Sequence, residues 1–116
     1  MNNERIKNKY GNIRTEIDGK VFSSKREAEV YRELQSCRRA RRNDQRVVEI
    51  QVHPKYPFII NENNIGIYTA DFWVKYADGH EEVIDVKSPV TAKLKDFRRT
   101  MKLMRAFYGI EVQVRQ

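Results

Sequence analysis

Two rhythms of hydrophobic and polar residues run through this chain, and the switches between them predict its elements. Thr15 to Phe22 alternates in short runs on either side of Asp18-Gly19, a dipeptide suited to a tight hairpin because both positions tolerate positive φ. From Ser24 the period lengthens to that of a helix. Ser24 and Glu27 stand at capping-box spacing, and good helix formers continue to Arg42. At 100° per residue Glu27, Val30, Tyr31, Leu34 and Cys37 share one side and Glu29 and Glu33 turn away, which leaves Glu27 as a carboxylate on the edge of an apolar stripe. Strand-like runs follow at Val47 to Val52 and at Phe58 to Ile60, the second after Pro54 and Pro57. The strongest β signal is Ile67 to Tyr76; across Ala77-Asp78-Gly79 comes Glu82 to Lys87, and the two are expected to form a hairpin. Between Thr91 and Tyr108, Leu94, Phe97, Met101, Met104 and Tyr108 recur at steps of three and four, as in a helix laid on a sheet with its methionines in the core. Gly109 is placed to end that helix, and Ile110 to Val114 alternates as a closing strand. Helix, strands with a hairpin, helix and strand add up to an α/β fold, a central mixed sheet flanked by helices.

Composition narrows the function. At 116 residues the chain has room for one domain, taken to run from 13 to 116 behind a mobile basic arm from Met1 to Asn12. Lys and Arg number 23 against 16 Asp and Glu, a formal charge of +7, and the pI is 9.7. Such a balance marks a binder of polyanions, with nucleic acid ahead of an acidic membrane surface. The apolar stretches are only a few residues long and Met1 to Ile13 is polar and basic, so neither a membrane span nor a secretory signal is expected, and the protein is placed in the cytoplasm. The single Cys37 excludes an internal disulfide and a Cys-rich zinc site.

Chemistry concentrates in the expected hairpin. Tyr68, Ala70, Phe72, Val74 and Tyr76 put one apolar face on the first strand, and Asp71 lies on the other face with Thr69, Trp73 and Lys75. In the second strand Asp85 and Lys87 share a face. Opposed residues of an antiparallel pair point the same way, so Asp71 stands beside Asp85 if the loop has an odd number of residues. Ala77-Asp78-Gly79 suits a three-residue loop, with Gly in the left-handed position; a two-residue Asp-Gly turn would separate the two carboxylates. Paired carboxylates hold Mg²⁺ or Mn²⁺, and a nearby lysine adds positive charge for the transition state of phosphodiester hydrolysis. From Lys87 to Arg105 there are seven basic residues and one acidic residue, Asp96; Lys93, Lys95, Arg98, Arg99, Lys102 and Arg105 form the expected phosphate-binding face.

The runs Tyr68-Thr-Ala-Asp71-Phe-Trp-Val and Val83-Ile-Asp85-Val-Lys87-Ser resemble the PD-(D/E)XK nuclease superfamily, with Ala70-Asp71 in place of the usual Pro-Asp. Ser24-Lys-Arg-Glu27-Ala resembles the glutamate of that fold's N-terminal helix. The chain from Lys9 to Val114 looks like small phage-encoded nucleases related to Holliday-junction resolvases, sometimes grouped as a domain of unknown function. The resemblance implies a restriction-endonuclease-like core and a Mg²⁺-dependent DNA endonuclease, with Mn²⁺ as substitute. Asp71, Asp85, Glu27 and the carbonyl of Val86 would be the metal ligands and Lys87 the residue that assists attack. Gln51 resembles a position that helps orient the site in some members, although a polar strand residue reads equally well.

Blander readings accompany these. Glu27 serves as a capping partner of Ser24, Trp73 as packing, and His80, Glu81 and Glu82 as solvated turn residues; His53, before Pro54, reads as a structural or exposed loop residue rather than a proton shuttle. The Arg38 to Arg42 cluster is either a second patch or a helix end stabilised by cations. A non-catalytic basic DNA-binding or phage assembly protein that retains the fold is the competing function, and an RNA-directed nuclease would use the same residues. With one acidic site per chain and no base-reading motif, the expected form is a homodimer that selects branched or distorted DNA by shape.

Overall fold

Segments with a regular hydrophobic period largely take up the structure that the period predicts, and the departures occur where the backbone changes partner. The computed structural model describes residues 5–7 and 13–116. Its elements are strands β1 (Arg5–Lys7), β2 (Ile13–Ile17) and β3 (Lys20–Phe22), helix α1 (Lys25–Ser36) continued by a 3-10 turn (Cys37–Arg39), strands β4 (Val47–Val52), β5 (Lys55–Ile60), β6 (Asn63–Thr69), β7 (Phe72–Tyr76) and β8 (Glu81–Val86), helices α2 (Pro89–Ala92) and α3 (Lys95–Tyr108), and strand β9 (Gln113–Arg115). The fold is mixed α/β, as expected. A four-stranded mixed sheet in the order β4-β7-β8-β9 lies at its centre, antiparallel except for the parallel β8-β9 pair. The basic arm lies outside the described residues apart from Arg5–Lys7, which pairs with β2.

Local turn chemistry is realised closely. Asp18 and Gly19 both have positive φ, 52° and 77°, and close a two-residue hairpin in which Ile17 pairs with Lys20. Ser24 caps α1, its hydroxyl accepting from the backbone N–H of Glu27 at 3.1 Å. Gly109 ends α3 in the left-handed conformation at φ 66°. The helix expected from Ser24 to Arg42 is shorter, because beyond Cys37 the arginine run offers the core nothing to bury and the chain tightens and then extends at Ala40.

Two larger corrections concern continuity. The strand expected from Ile67 to Tyr76 is two strands in different sheets. Thr69 still pairs with Lys55 in the β5-β6 hairpin, the N–H of Ala70 donates to Pro54 O, and the N–H of Asp71 donates to Ile84 O in β8. The backbone thus passes from one partner to another at Ala70-Asp71. The helix expected from Thr91 to Tyr108 is likewise broken. Pro89 opens the short α2 behind the Ser88 cap, which accepts from the N–H of Thr91, and α3 restarts after Leu94. Leu94 and Tyr108, expected in the stripe, are exposed, while Met104 is fully buried.

The break also divides the core. Phe72, Val74, Tyr76 and Ile84 pack with Ile17, Phe22, Val30, Tyr31 and Leu34 under α1. Tyr68 and Ala70, which the alternation assigns to the same face, instead join Phe58, Val83 and Met104, against which Trp73, Met101 and Phe107 pack. The sheet is therefore covered on both sides, by α1 and by α3, and each side chain of its central strands faces a packed layer or one of its ends. Truncating Phe72 or Leu34, both at most 1% exposed, would cost about 2–5 kcal/mol.

Candidate metal centre and nucleic-acid interface

The register of β7 and β8 decides whether Asp71 and Asp85 meet. Phe72 pairs with Ile84, Trp73 with Val83, Val74 with Glu82 and Lys75 with Glu81, and the ladder closes at Tyr76, whose N–H donates to His80 O at 2.9 Å. The connection is the three residues Ala77-Asp78-Gly79, with Gly79 at φ 94°, as the expected geometry requires. One step beyond the ladder's open end, Asp71 stands level with Asp85. There the carboxylate of Asp71 replaces the backbone that β7 no longer supplies, Oδ2 accepting from the N–H of Val86 at 2.6 Å.

Asp85 is 1% exposed. Its Oδ2 accepts from the hydroxyl of Tyr68 at 2.5 Å, and its Oδ1 lies 3.4 Å from Lys87 Nζ. Among the described residues, Asp85 Oδ1 is the one buried side-chain polar atom without a hydrogen bond. Its charge is met by the Lys87 ammonium alone, and a bound cation would be a second partner for it. Burial, then the hydrogen bond to Asp85, pushes the Tyr68 hydroxyl above the ordinary phenol range, which keeps it a donor. Lys87 is partly exposed and its ammonium lies 5.7 Å from the centroid of the Phe97 ring, which fixes it beside the start of α3.

From α1 comes Glu27, 3% exposed. The capping-box geometry is only half made, because Ser24 binds the Glu27 N–H but the Glu27 carboxylate is used elsewhere. Its Oε2 accepts from Ser23 Oγ at 2.8 Å, and its Oε1 lies 2.7 Å from His53 Nε2. The backbone N–H of His53 in turn donates to Asp71 O at 2.9 Å. Potential ligand atoms of Glu27, His53 and Asp71 all lie within 4.8 Å of one another. The Asp71 carboxyl is pushed up to about 8 from 3.8, mainly by burial, then by a hydrogen bond with Asp85 and the charges of Glu27 and Asp85, with the Val86 N–H opposing. The close approach of Glu27, Asp71 and Asp85 thus disfavours ionising all three together, and a bound cation would relieve it.

The structure brings Glu27, Asp71, Asp85, Val86 and Lys87 together. Gln51 is exposed in β4, paired with Trp73, outside the Glu27–His53–Asp71 group. Sequence reasoning gave His53 and Tyr68 no part in the site. His53 carried a weak signal, an imidazole beside Pro54 at a strand junction; Tyr68 was hidden in an apolar alternation that its ring satisfies.

The basic face is built by α3. Lys95, Arg98, Arg99 and Lys102 line a surface pocket of about 360 Å³. Arg105 pairs with Glu111 at 3.3 Å, which ties part of its charge to the protein, and Lys93 is exposed between α2 and α3. Beside Lys87 a second pocket of about 350 Å³ includes Ser24, Arg26 and Gln116 in its wall, where Arg26 Nε donates to the Gln116 carbonyl at 2.9 Å. Among the described residues, no helix is long and apolar enough to cross a membrane.

A family model described as "Protein of unknown function (DUF1064)" matches residues 7–114. No curated protein matches the chain.

Proposed function

We propose that this chain, which belongs to the DUF1064 family of unknown function, is a metal-dependent DNA endonuclease. The observation that carries the reading is the convergence of Asp71, Asp85 and Lys87 from adjacent strands with Glu27 from α1, around the buried Asp85 Oδ1, which Lys87 approaches at 3.4 Å without a hydrogen bond. Clustered oxygen donors at the end of a sheet suit a hard divalent cation, and Asp71, Asp85, Glu27 and the Val86 carbonyl are the residues that would hold it. Mg²⁺, or Mn²⁺ in its place, supplies charge neutralisation at the phosphate and acidification of a water molecule when bound. Lys87 contributes a fixed positive charge 3.4 Å from Asp85, placed to act on the charge that develops during attack. Tyr68 holds Asp85 in orientation through its hydroxyl, and the Val86 N–H does so for Asp71. The α3 face with Lys95, Arg98, Arg99 and Lys102 then grips phosphates next to the site, and Phe97 links that helix to Lys87. A homodimer acting on branched or distorted DNA in the cytoplasm completes the proposal: shape and charge are the means of recognition, and a two-fold pair of sites permits cuts on two strands.

The experiment is cleavage of linear, nicked, flapped and four-way DNA with Mg²⁺, Mn²⁺ or Ca²⁺ in parallel, together with light scattering of the protein alone and on DNA. Cleavage with Mg²⁺ or Mn²⁺, preference for the four-way substrate, and binding without cleavage in Ca²⁺, whose larger and looser shell positions water poorly, are expected. Absence of cleavage from every substrate with every metal would refute the enzyme; a strict monomer that cuts linear duplex as readily as a junction would refute the dimer and the selectivity.

A further inference from the structure

We propose that His53 is itself a metal ligand, and that with Glu27 and Asp71 it makes a mixed nitrogen and oxygen site that favours first-row transition ions such as Mn²⁺ over Mg²⁺. The inference rests on the reading of this site as a metal centre and adds to it a donor and a selectivity.

The first support is spacing. Ligand atoms of Glu27, His53 and Asp71 lie within 4.8 Å of one another, and Glu27 Oε1 and His53 Nε2 stand 2.7 Å apart. Two neighbouring ligands on one octahedral ion, with bonds of about 2.1 Å, stand roughly 3 Å apart, so this pair spans one edge of a coordination sphere after a shift of a few tenths of an ångström. At 2.7 Å the pair is a hydrogen bond, which a cation between the two groups would replace; an imidazole binds metal through the nitrogen that carries no proton, the ring proton then residing on the other nitrogen.

Backbone conformation is an independent support. Four non-glycine residues among those described have positive φ: Asp18, Asn61, Glu62 and His53. The first three occupy two-residue hairpin turns, where that conformation is demanded by the turn. His53, at φ 56°, lies with Pro54 between β4 and β5, two strands of different sheets, with no hairpin turn to account for it. Its conformation is held by its own N–H on Asp71 O and by the Ala70 N–H on Pro54 O, and the result is an imidazole set against a carboxylate that is almost wholly buried. Left-handed backbone at an ordinary residue costs on the order of 1–3 kcal/mol and persists at sites that use it.

Beside the group, Asp85 Oδ1 is buried and makes no hydrogen bond, with the Lys87 ammonium 3.4 Å away, and Asp85 and Glu27 both press their charge on Asp71. An all-oxygen site suits Mg²⁺, Ca²⁺ and Mn²⁺ alike, whereas an imidazole donor tilts a site toward transition ions. His53 is the group here that carries that tilt.

The test is direct detection of nitrogen on bound Mn²⁺. Electron spin echo envelope modulation of the Mn²⁺-loaded full chain, with natural and ¹⁵N-labelled histidine, reports a coordinated imidazole, and Mg²⁺ competition gives the relative affinities. A histidine nitrogen coupling is expected in the wild type and in His80→Gln, the control for the one other histidine. It should vanish in His53→Asn, where asparagine tolerates positive φ, with Mn²⁺ affinity lowered by about 10- to 100-fold and Mg²⁺ affinity reduced less. Bound Mn²⁺ without nitrogen coupling in the wild type, equal losses for both ions in the variant, or no Mn²⁺ binding at all would overturn the proposal. The wild-type spectrum needs neither a folded variant nor cleavage, so loss of the nuclease reading and loss of the ligand are told apart.

Discussion

Replacing Asp85 by asparagine is expected to stabilise the metal-free protein while removing its proposed activity. Asp85 is 1% exposed and lies against Asp71, whose carboxyl stands at about 8 instead of 3.8. A pKa raised by folding means that the folded chain holds a proton more firmly than the unfolded one. That contribution is complete below about pH 4 and is lost as pH rises through about 8, with a slope of at most about 1.4 kcal/mol per pH unit for one proton. Burial is the largest cause of the rise and Asp85 supplies only part of it. Asp71 is also partly open to water, which screens it. The stabilisation by Asp85→Asn at pH 8 is therefore set at about 1–2 kcal/mol, or roughly 5 °C in Tm for a chain of this size. Asparagine keeps an acceptor for the Tyr68 hydroxyl, and the interaction it gives up is the 3.4 Å approach of Lys87. Thermal unfolding in a chelator at pH 5, 7 and 8.5 should show the wild type losing stability with rising pH and the variant losing less. Saturating Mn²⁺ should reverse the order, since metal at a hundred times its Kd adds about 2.7 kcal/mol to a protein that binds it and the variant lacks one ligand. A variant that is less stable than wild type in the chelator by more than about 1 kcal/mol, or that gains as much from Mn²⁺, would show that Asp85 is a structural partner of Tyr68 and Lys87 and not a metal-holding residue.

Asp71→Ala and Lys87→Ala should each lower cleavage by about 10²-fold or more while circular dichroism and DNA affinity in Ca²⁺ stay near wild type; full activity in both would remove the proposed site. Neutralising Lys95, Arg98 and Lys102 together should weaken binding to every DNA sequence and reduce the slope of log K against log salt by up to about 0.9 for each phosphate that the chain no longer neutralises; an unchanged slope would show that the pocket on α3 does not touch DNA.

Much of the site is local information. Asp85, Val86 and Lys87 are consecutive at the end of one strand, Asp71 follows from them through a three-residue loop whose last position, Gly79 at φ 94°, only glycine takes without strain, and Ser24 and Glu27 are set by one helix start. For Asp71, Asp85 and Lys87 spacing and turn chemistry were sufficient, because each relation spans a few residues or a single hairpin, whereas the part of Glu27 and of Val86 was implied by the resemblance. The mixed sheet between two helices was legible for the same reason, since amphipathic period reports which face an element buries.

Period does not report which element lies on the other side. Ile67 to Tyr76 alternates without interruption, and nothing within it marks Ala70-Asp71 as the point where the backbone leaves Pro54 for Ile84. Tyr68 alternates correctly and still belongs to the other core, with its hydroxyl on a carboxylate 17 residues away. His53 is set against Glu27 across 26 residues by a single positive-φ step after β4. The sequence by itself determined the helix start at Ser24, the turn that aligns two aspartates, and the basic balance of charge. Only the tertiary structure decided that a tyrosine and a histidine complete the acidic group, because those contacts depend on how separate elements end against one another, and chain entropy lets many endings compete until the whole core is packed.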